Sequence, residues 1–338
     1  MAKNPILWKI MYLYGQFPPT KLFTEVLSWH ACYNKFAEVI QKADPDIVVS
    51  VHPLCQHIPI PIVRKMNENR DPKKLPIPFV TVVTDLGGAH PTWFDKRTDF
   101  CFVPSKAVYD IARSNGISPD KLVMHGLPIR PTFWKTGPPK DKIRKALKLD
   151  DAKTVLLMGG GDGVGNLMSI ATHLANKLQQ SSRKSQVVVV CGHNKKVASQ
   201  LSAKTWPEKV NMVVKGFMTN IDEYMSASDC LVTKAGPGTI AEAMTRGLPL
   251  VLSTYLPGQE AGNVPYVVDG GFGLYAKNNP RKIAKTVYEL FEDDSLLHSM
   301  SVRAKSLSRP DATREIAKDI GSIVLRTKLE LPKLKDTL

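Results

Sequence analysis

The sequence predicts an α/β protein built from two doubly wound domains with parallel sheets. Three observations carry this. Apolar runs of strand length alternate with helical stretches along the whole 338-residue chain. Most of these runs are near-continuous Val, Ile and Leu rather than strictly alternating, as in strands covered on both faces. The series breaks once, at "GLPIRPTFWKTGPPKDK" (126–142), where Pro, Gly and Lys crowd together as in a linker. A chain of this length suits two domains of ordinary size.

The expected strands before the break are "DIVVSV" (46–51), "FVTVVT" (79–84), "FCFV" (100–103) and "KLVMHG" (121–126). After it come "TVLLMG" (154–159), "QVVVVCG" (186–192), "VNMVVKG" (210–216), "DCLVTK" (229–234) and "LPLVL" (248–252). The domains are therefore expected over 1–135 and 136–325, followed by a basic tail at 326–338. No apolar run approaches the roughly 18 residues that span a bilayer. "MAKNPILWKIMYLYG" has no signal- or transit-peptide pattern. Cys32, Cys55, Cys101, Cys191 and Cys230 are widely spaced, which argues for reduced thiols and against a zinc knuckle. The net charge of +15 suits an anionic partner such as acidic lipid or a phosphorylated ligand. It is equally the charge of a merely soluble surface, and no nucleic-acid motif is present, so nucleic acid is not expected.

The motif with the clearest chemistry is "KAGPGTIAEAMTRGLPLVL" (234–252), a strand end, a glycine turn, a helix and the next strand. In such βαβ units ligands sit where strands end and helices begin. Gly236 and Gly238 allow a sharp turn and a close approach of backbone to ligand. The free N–H groups of the helix start then favour an anion such as phosphate. Glu242, one turn in, suits sugar hydroxyls. A tight turn with a solvated Glu fits the same residues. "LLMGGGDGVGN" (156–166) also follows a strand and opens a helix. Its Gly160, Gly161, Asp162 and Gly163 neighbourhood permits close backbone approach to an anion, but it is neither a P-loop nor a clean dinucleotide fingerprint. "LPGQEAGN" (256–263) crowds Gln259, Glu260 and Asn263 on one loop, a set suited to a hydroxyl-rich ligand or to a helix cap. His52 and His57 stand at one strand end, and Asp85, His90 and Trp93 at another, with no helical zinc spacing. Gly216 and Phe217 follow a further strand, where an aromatic either covers a flat ring or joins the core.

Taken together, "VTDLGGAHPTWF", "PSKAVYDIARSNGI", "HGLPIRPTFW", "LLMGGGDGVGN", "VKGFMTNIDEYMSASDCLVTKAGPGTIAEAMTRGLPLVL" and "GQEAGNVPYVVDGG" resemble monogalactosyldiacylglycerol synthase. That plastid family transfers galactose from UDP-galactose to diacylglycerol. The resemblance runs in order from about Ile6 to about residue 325. It implies two facing Rossmann-like domains, the GT-B fold, with the nucleotide sugar on the C-terminal domain and the acceptor on the N-terminal one. It implies that Ala235, Gly236, Pro237, Gly238 and Thr239 meet the diphosphate and Glu242 the ribose. Gln259, Glu260 and the neighbouring Asn263 would face the donor sugar, Gly216 and Phe217 the uracil, Arg130 the phosphates, and Trp93 the acceptor. No cofactor or metal is implied.

The family's first domain opens with a strand and a Gly-Gly-Gly-His loop that carries the general base. This sequence has no such motif, and Met1 falls where the family is already inside that domain. The resemblance therefore implies an incomplete N-terminal domain, UDP binding and galactose transfer that is poor or absent, with His52, His57, Asp85 and His90 as remaining catalytic candidates. A catalytically silent nucleotide-sugar-binding protein and a diacylglycerol glucosyltransferase are the alternatives. The expected location is the plastid envelope, as a peripheral protein held by anionic lipids. The aromatic, basic "ILWKIMYLYGQF" stretch (6–17) suits either a membrane interface or a core helix.

Overall fold

The structure, a computed structural model, describes residues 17–72, 74–159 and 166–329 together with Ile10, Leu13 and Tyr14. Gly160, Gly161, Asp162 and Gly163, most of the 6–17 stretch and the end of the basic tail lie outside the described residues. The chain divides into two compact units. One comprises Met1–Pro128, Pro257–Gly262 and Asp311–Leu338, the other Ile129–Leu256 and Asn263–Pro310.

In the first unit the order is α1 (Pro18–Ala43), β1 (Val48–Ser50), α2 (Pro59–Glu68), β2 (Phe79–Val82), β3 (Phe100–Val103), α3 (Lys106–Ser114) and β4 (Leu122–Met124). The four strands form a parallel sheet in the order β1-β2-β3-β4. Pro18 and Pro59 open their helices, where a missing N–H costs nothing. Ser105 caps α3 by accepting from the Val108 N–H. Successive strand residues serve opposite faces. Cys101 and Val103 pack with Trp93, Val108, Ala112 and Ile117, while Val80, Val82 and Phe102 pack with Ile316 and Ile323. Those last two residues lie on the helix Ala312–Leu329, which also places Asp319 2.7 Å from His125 Nε2. This packing joins the segment from 311 onward to the first unit, although the sequence reading put it in the second domain.

The second unit continues with α4 (Lys140–Ala146), β5 (Lys153–Met158), α5 (Leu167–Leu178), β6 (Ser185–Val190), α6 (Lys195–Ser202), β7 (Val210–Lys215) and α7 (Ile221–Ala227). Then come β8 (Cys230–Thr233), α8 (Pro237–Thr245), β9 (Leu250–Leu252), α9 (Asn263–Asp269), β10 (Gly273–Tyr275), α10 (Pro280–Glu292) and α11 (Asp294–Leu307). The sheet is parallel throughout, in the order β10-β9-β8-β5-β6-β7. Every residue of β6 is buried, as its unbroken Val run requires. Numbered within this unit, the order is 6-5-4-1-2-3, the doubly wound dinucleotide-fold arrangement. Its connections reverse direction between β5 and β8, which pair directly, Leu157 opposite Val232.

The stretch at 126–142 is not a free linker. Phe133 is buried, Trp134 Nε1 donates to the Ile129 carbonyl, and Arg246 donates to the carbonyls of Thr132 and Lys135. From Ile129 on it is part of the second unit, so the division falls before the expected 135.

Candidate functional site

In open α/β sheets the strand ends at the point of reversal form a crevice. Here those ends are Met158 of β5 and Thr233 of β8, on adjacent strands, and the Gly-Pro-Gly turn follows β8. Gly236 stands at the cap of α8 with φ −74° and ψ 130°, Pro237 opens the helix, and no side chain caps it. The first N–H groups of α8 thus meet no side-chain cap among the described residues, as an anion site requires. A Cβ built on Gly238 would meet nothing within 4 Å among the described residues, so none of them fills the space over this turn. The turn is itself braced. Ala235 is fully buried and donates its N–H to the Thr254 carbonyl, and Asn263 Nδ2 donates to the Ala235 carbonyl at 2.8 Å. Asn263, 1% exposed, holds the turn from behind rather than facing a ligand.

Glu242 is on α8 and 8% exposed. Both its oxygens accept from Arg130, Nε to Oε1 at 2.7 Å and Nη2 to Oε2 at 2.9 Å. The sequence placed Arg130 at the phosphates; the structure places it on Glu242. The pairing raises the affinity of the Arg130 guanidinium for its proton. Arg246 just past α8, unremarked in the sequence reading, anchors the Arg130 segment through the two carbonyls named above.

At the neighbouring strand ends, Phe217 stacks on His193 with ring centroids 4.4 Å apart and planes 12° from parallel. Gly192, at φ +55°, makes the turn that delivers His193, a conformation glycine adopts without strain. The Cys191 N–H donates to the Lys215 carbonyl, which keeps the two loops together. Phe217 is well exposed, so its outer face offers a platform for a flat ring; it is not core. His193 was missed in the sequence, although "VVVVCGHN" has the same strand-glycine-ring form as "VVKGF".

The first unit holds a second cluster. Asp85 is buried just past β2 and accepts from Trp93 Nε1 at 2.7 Å, from the Gln259 side chain and from the His90 backbone. Burial raises the Asp85 pKa and outweighs those hydrogen bonds, and the charge of Glu260 adds to the rise. Trp93 is only 2% exposed, so it positions Asp85 rather than presenting a face to an acceptor. Gln259 and Glu260 belong to this unit, not with the Gly-Pro-Gly turn. The reason is a backbone contact: a Cβ on Gly262 would lie 2.5 Å from the Gly87 oxygen and 2.8 Å from its carbon. Gly262→Ala is therefore expected to push the 257–262 loop off Gly87 and Gly88, costing about 1–3 kcal/mol of stability in denaturant unfolding. An unchanged midpoint would show that the loops part freely.

The histidine candidates are engaged otherwise. His52 Nδ1 accepts from the Leu54 N–H, and His90 Nδ1 from the Thr92 N–H. In each neutral ring the proton then sits on Nε2, which makes that nitrogen a donor. His57 Nε2 bonds Ser28 Oγ of α1 at 2.9 Å. Among the described residues no group of three or more His, Cys, Asp or Glu is gathered to hold a metal ion.

Residues 2–129 match the family model for monogalactosyldiacylglycerol (MGDG) synthase, and residues 154–316 that for the glycosyltransferase family 28 C-terminal domain. Monogalactosyldiacylglycerol synthase 3, chloroplastic, of Arabidopsis thaliana is 40% identical over 326 residues, spanning 95% of this chain and 68% of the relative. The chain belongs to the monogalactosyldiacylglycerol synthase family. The spinach (Spinacia oleracea) chloroplastic member of that family is 44% identical over 332 residues, 96% of this chain and 62% of the relative's own length. The chain thus spans less than two thirds of several curated family members. Among solved structures, Acinetobacter baumannii MurG superposes with a TM-score of 0.62 at 16% identity, over 85% of this chain and 76% of that one. The S. aureus MnaA-UDP co-structure does so with 0.62 at 17%, over 91% and 81%. Likeness at this identity shows the fold, the two Rossmann-like domains of the GT-B class expected from the sequence.

Proposed function

We propose that this member of the synthase family transfers galactose from UDP-galactose to the sn-3 hydroxyl of diacylglycerol with inversion at the sugar. The observation that carries the reading is the open glycine turn at the reversal point of the second sheet, with buried Glu242 on the same helix. Uracil would lie on Phe217, the ribose hydroxyls on Glu242 and the diphosphate on the start of α8. The diacylglycerol hydroxyl attacks the anomeric carbon opposite UDP, and the bond to the β-phosphate oxygen breaks. Charge then grows on that phosphate, where oriented N–H groups stabilise it without reorganisation. No metal ion is invoked.

The attacking hydroxyl must give its proton to a base. Of the four candidates Asp85 suits the role best, because a buried carboxylate with a raised pKa is the stronger proton acceptor. The test is transfer from radiolabelled UDP-galactose to diacylglycerol in mixed micelles. Labelled galactolipid that depends on diacylglycerol is expected. Label released only as free galactose, or lipid product formed only from UDP-glucose, would overturn the assignment.

We further propose peripheral attachment to anionic membranes of the plastid envelope. No helix among the described residues is long and apolar enough to cross a membrane, whereas α1 exposes Leu22, Phe23, Val26 and Leu27. The chain's net charge of +15 suits an acidic interface, and these exposed apolar side chains suit insertion at it. Co-sedimentation with anionic liposomes is expected and should weaken as salt rises. Equal binding to neutral vesicles would remove the electrostatic part.

A further inference from the structure

We propose that Arg130 is a positioning residue for the ribose of the nucleotide, acting through Glu242 rather than on the diphosphate. This rests on the UDP-sugar reading above and specifies how one part of that site is held. The two parallel bonds from Arg130 fix the plane of the Glu242 carboxylate as well as its position. A carboxylate offers about four lone-pair sites over its two oxygens. Arg130 takes one on each, so one on each remains, and a vicinal diol presents two O–H donors to match. The Glu242 side chain is 11% exposed and that of Arg130 50%, so the carboxylate is the member whose orientation water cannot settle.

Arg130 is itself held in place. It precedes the short turn Pro131–Phe133, whose Thr132 carbonyl accepts from Arg246 Nη2 at 2.6 Å. The Lys135 carbonyl accepts from Arg246 Nη1, also at 2.6 Å. The Phe133 ring packs against both guanidinium groups, 5.3 Å from Arg130 and 5.0 Å from Arg246. Arg246 stands one turn beyond Glu242, so the helix that carries the carboxylate also anchors the segment that carries its partner. For Arg130 to turn to the phosphates, it would have to leave a buried carboxylate unpaired, which is strongly unfavourable.

The test is calorimetric titration of the wild-type chain, Arg130→Ala and Arg130→Lys with UDP and with 2′,3′-dideoxyuridine 5′-diphosphate. Both ligands carry the diphosphate, and only UDP carries the diol. The wild type is expected to prefer UDP. Arg130→Ala should weaken UDP by about tenfold or more, the scale of a charge-assisted hydrogen bond. It should weaken the dideoxy ligand by less than about twofold, since the coupled contact is already gone. Arg130→Lys should recover part of the UDP affinity. Equal losses with both ligands would put Arg130 on the phosphates and overturn the proposal, and so would no loss with either. Equal binding of the two ligands by the wild type would remove the diol contact. Failure of the wild type to bind UDP would overturn the donor reading itself, a separate outcome. Each variant meets both ligands in one preparation, so a lowered folded fraction cannot mimic a selective loss.

Discussion

Glu242→Ala is expected to weaken UDP binding by about 1–3 kcal/mol, or roughly 5- to 150-fold, because the ribose hydroxyls lose a desolvated acceptor. The carboxylate is buried on α8, past a turn whose backbone N–H groups have no side-chain cap among the described residues. Truncation frees Arg130, whose side chain is half exposed and regains water, so folding should suffer less than binding. Glu242→Gln keeps the shape but turns one acceptor into a donor that faces the guanidinium, and it should fall between the two. Calorimetry with UDP reads the result. Unchanged affinity would mean that the carboxylate serves Arg130 alone.

Much of the second unit was legible because local pattern determines it. Each of its five expected strands is present within a few residues, and the Gly-Pro-Gly-Thr turn lies at a strand end as expected. The missed strand, β10, is Gly-Leu-Tyr, with no β-branched run to mark it. Only a long-range contact requires its glycine: a Cβ on Gly273 would lie 2.4 Å from Val267 Cγ1 and 2.8 Å from the Leu250 oxygen. The site was less legible for the same reason. Arg130 and Glu242 pair across 112 residues, and Arg246 reaches Thr132 across 114. Composition and spacing show that such groups exist but not which will meet. Gln259 and Glu260 followed β9 in the sequence and were read with its domain, whereas the contact of Gly262 with Gly87 ties them to the first unit.

Asp85→Asn is expected to move stability and turnover in opposite directions. Burial holds the Asp85 carboxyl above the ordinary carboxylate range, partly offset by hydrogen bonds from Trp93, Gln259 and the His90 backbone, with nearby Glu260 adding to the rise. The folded state thus keeps this proton to higher pH than the unfolded chain does. Stability contributed by the group falls as pH rises from the ordinary Asp range through the raised folded value, and at neutral pH the ionised carboxylate is a standing cost. Asparagine preserves the shape and an oxygen for the Trp93 N–H, and it removes the charge beside Glu260. The thermal midpoint should therefore rise at neutral pH. It should not rise below the ordinary Asp range, where the wild type is protonated as well. Asparagine cannot accept the acceptor's proton, so galactose transfer should fall by about 10²–10⁴-fold. UDP affinity should hold, because the residues proposed for the nucleotide lie in the other unit. Unfolding at neutral and acid pH, beside transfer assays, reads both quantities. A lower midpoint with lower turnover would make Asp85 a structural residue, and unchanged turnover would exclude it as the base, whereas a gain in stability at the expense of chemistry is what a carboxylate kept for catalysis produces.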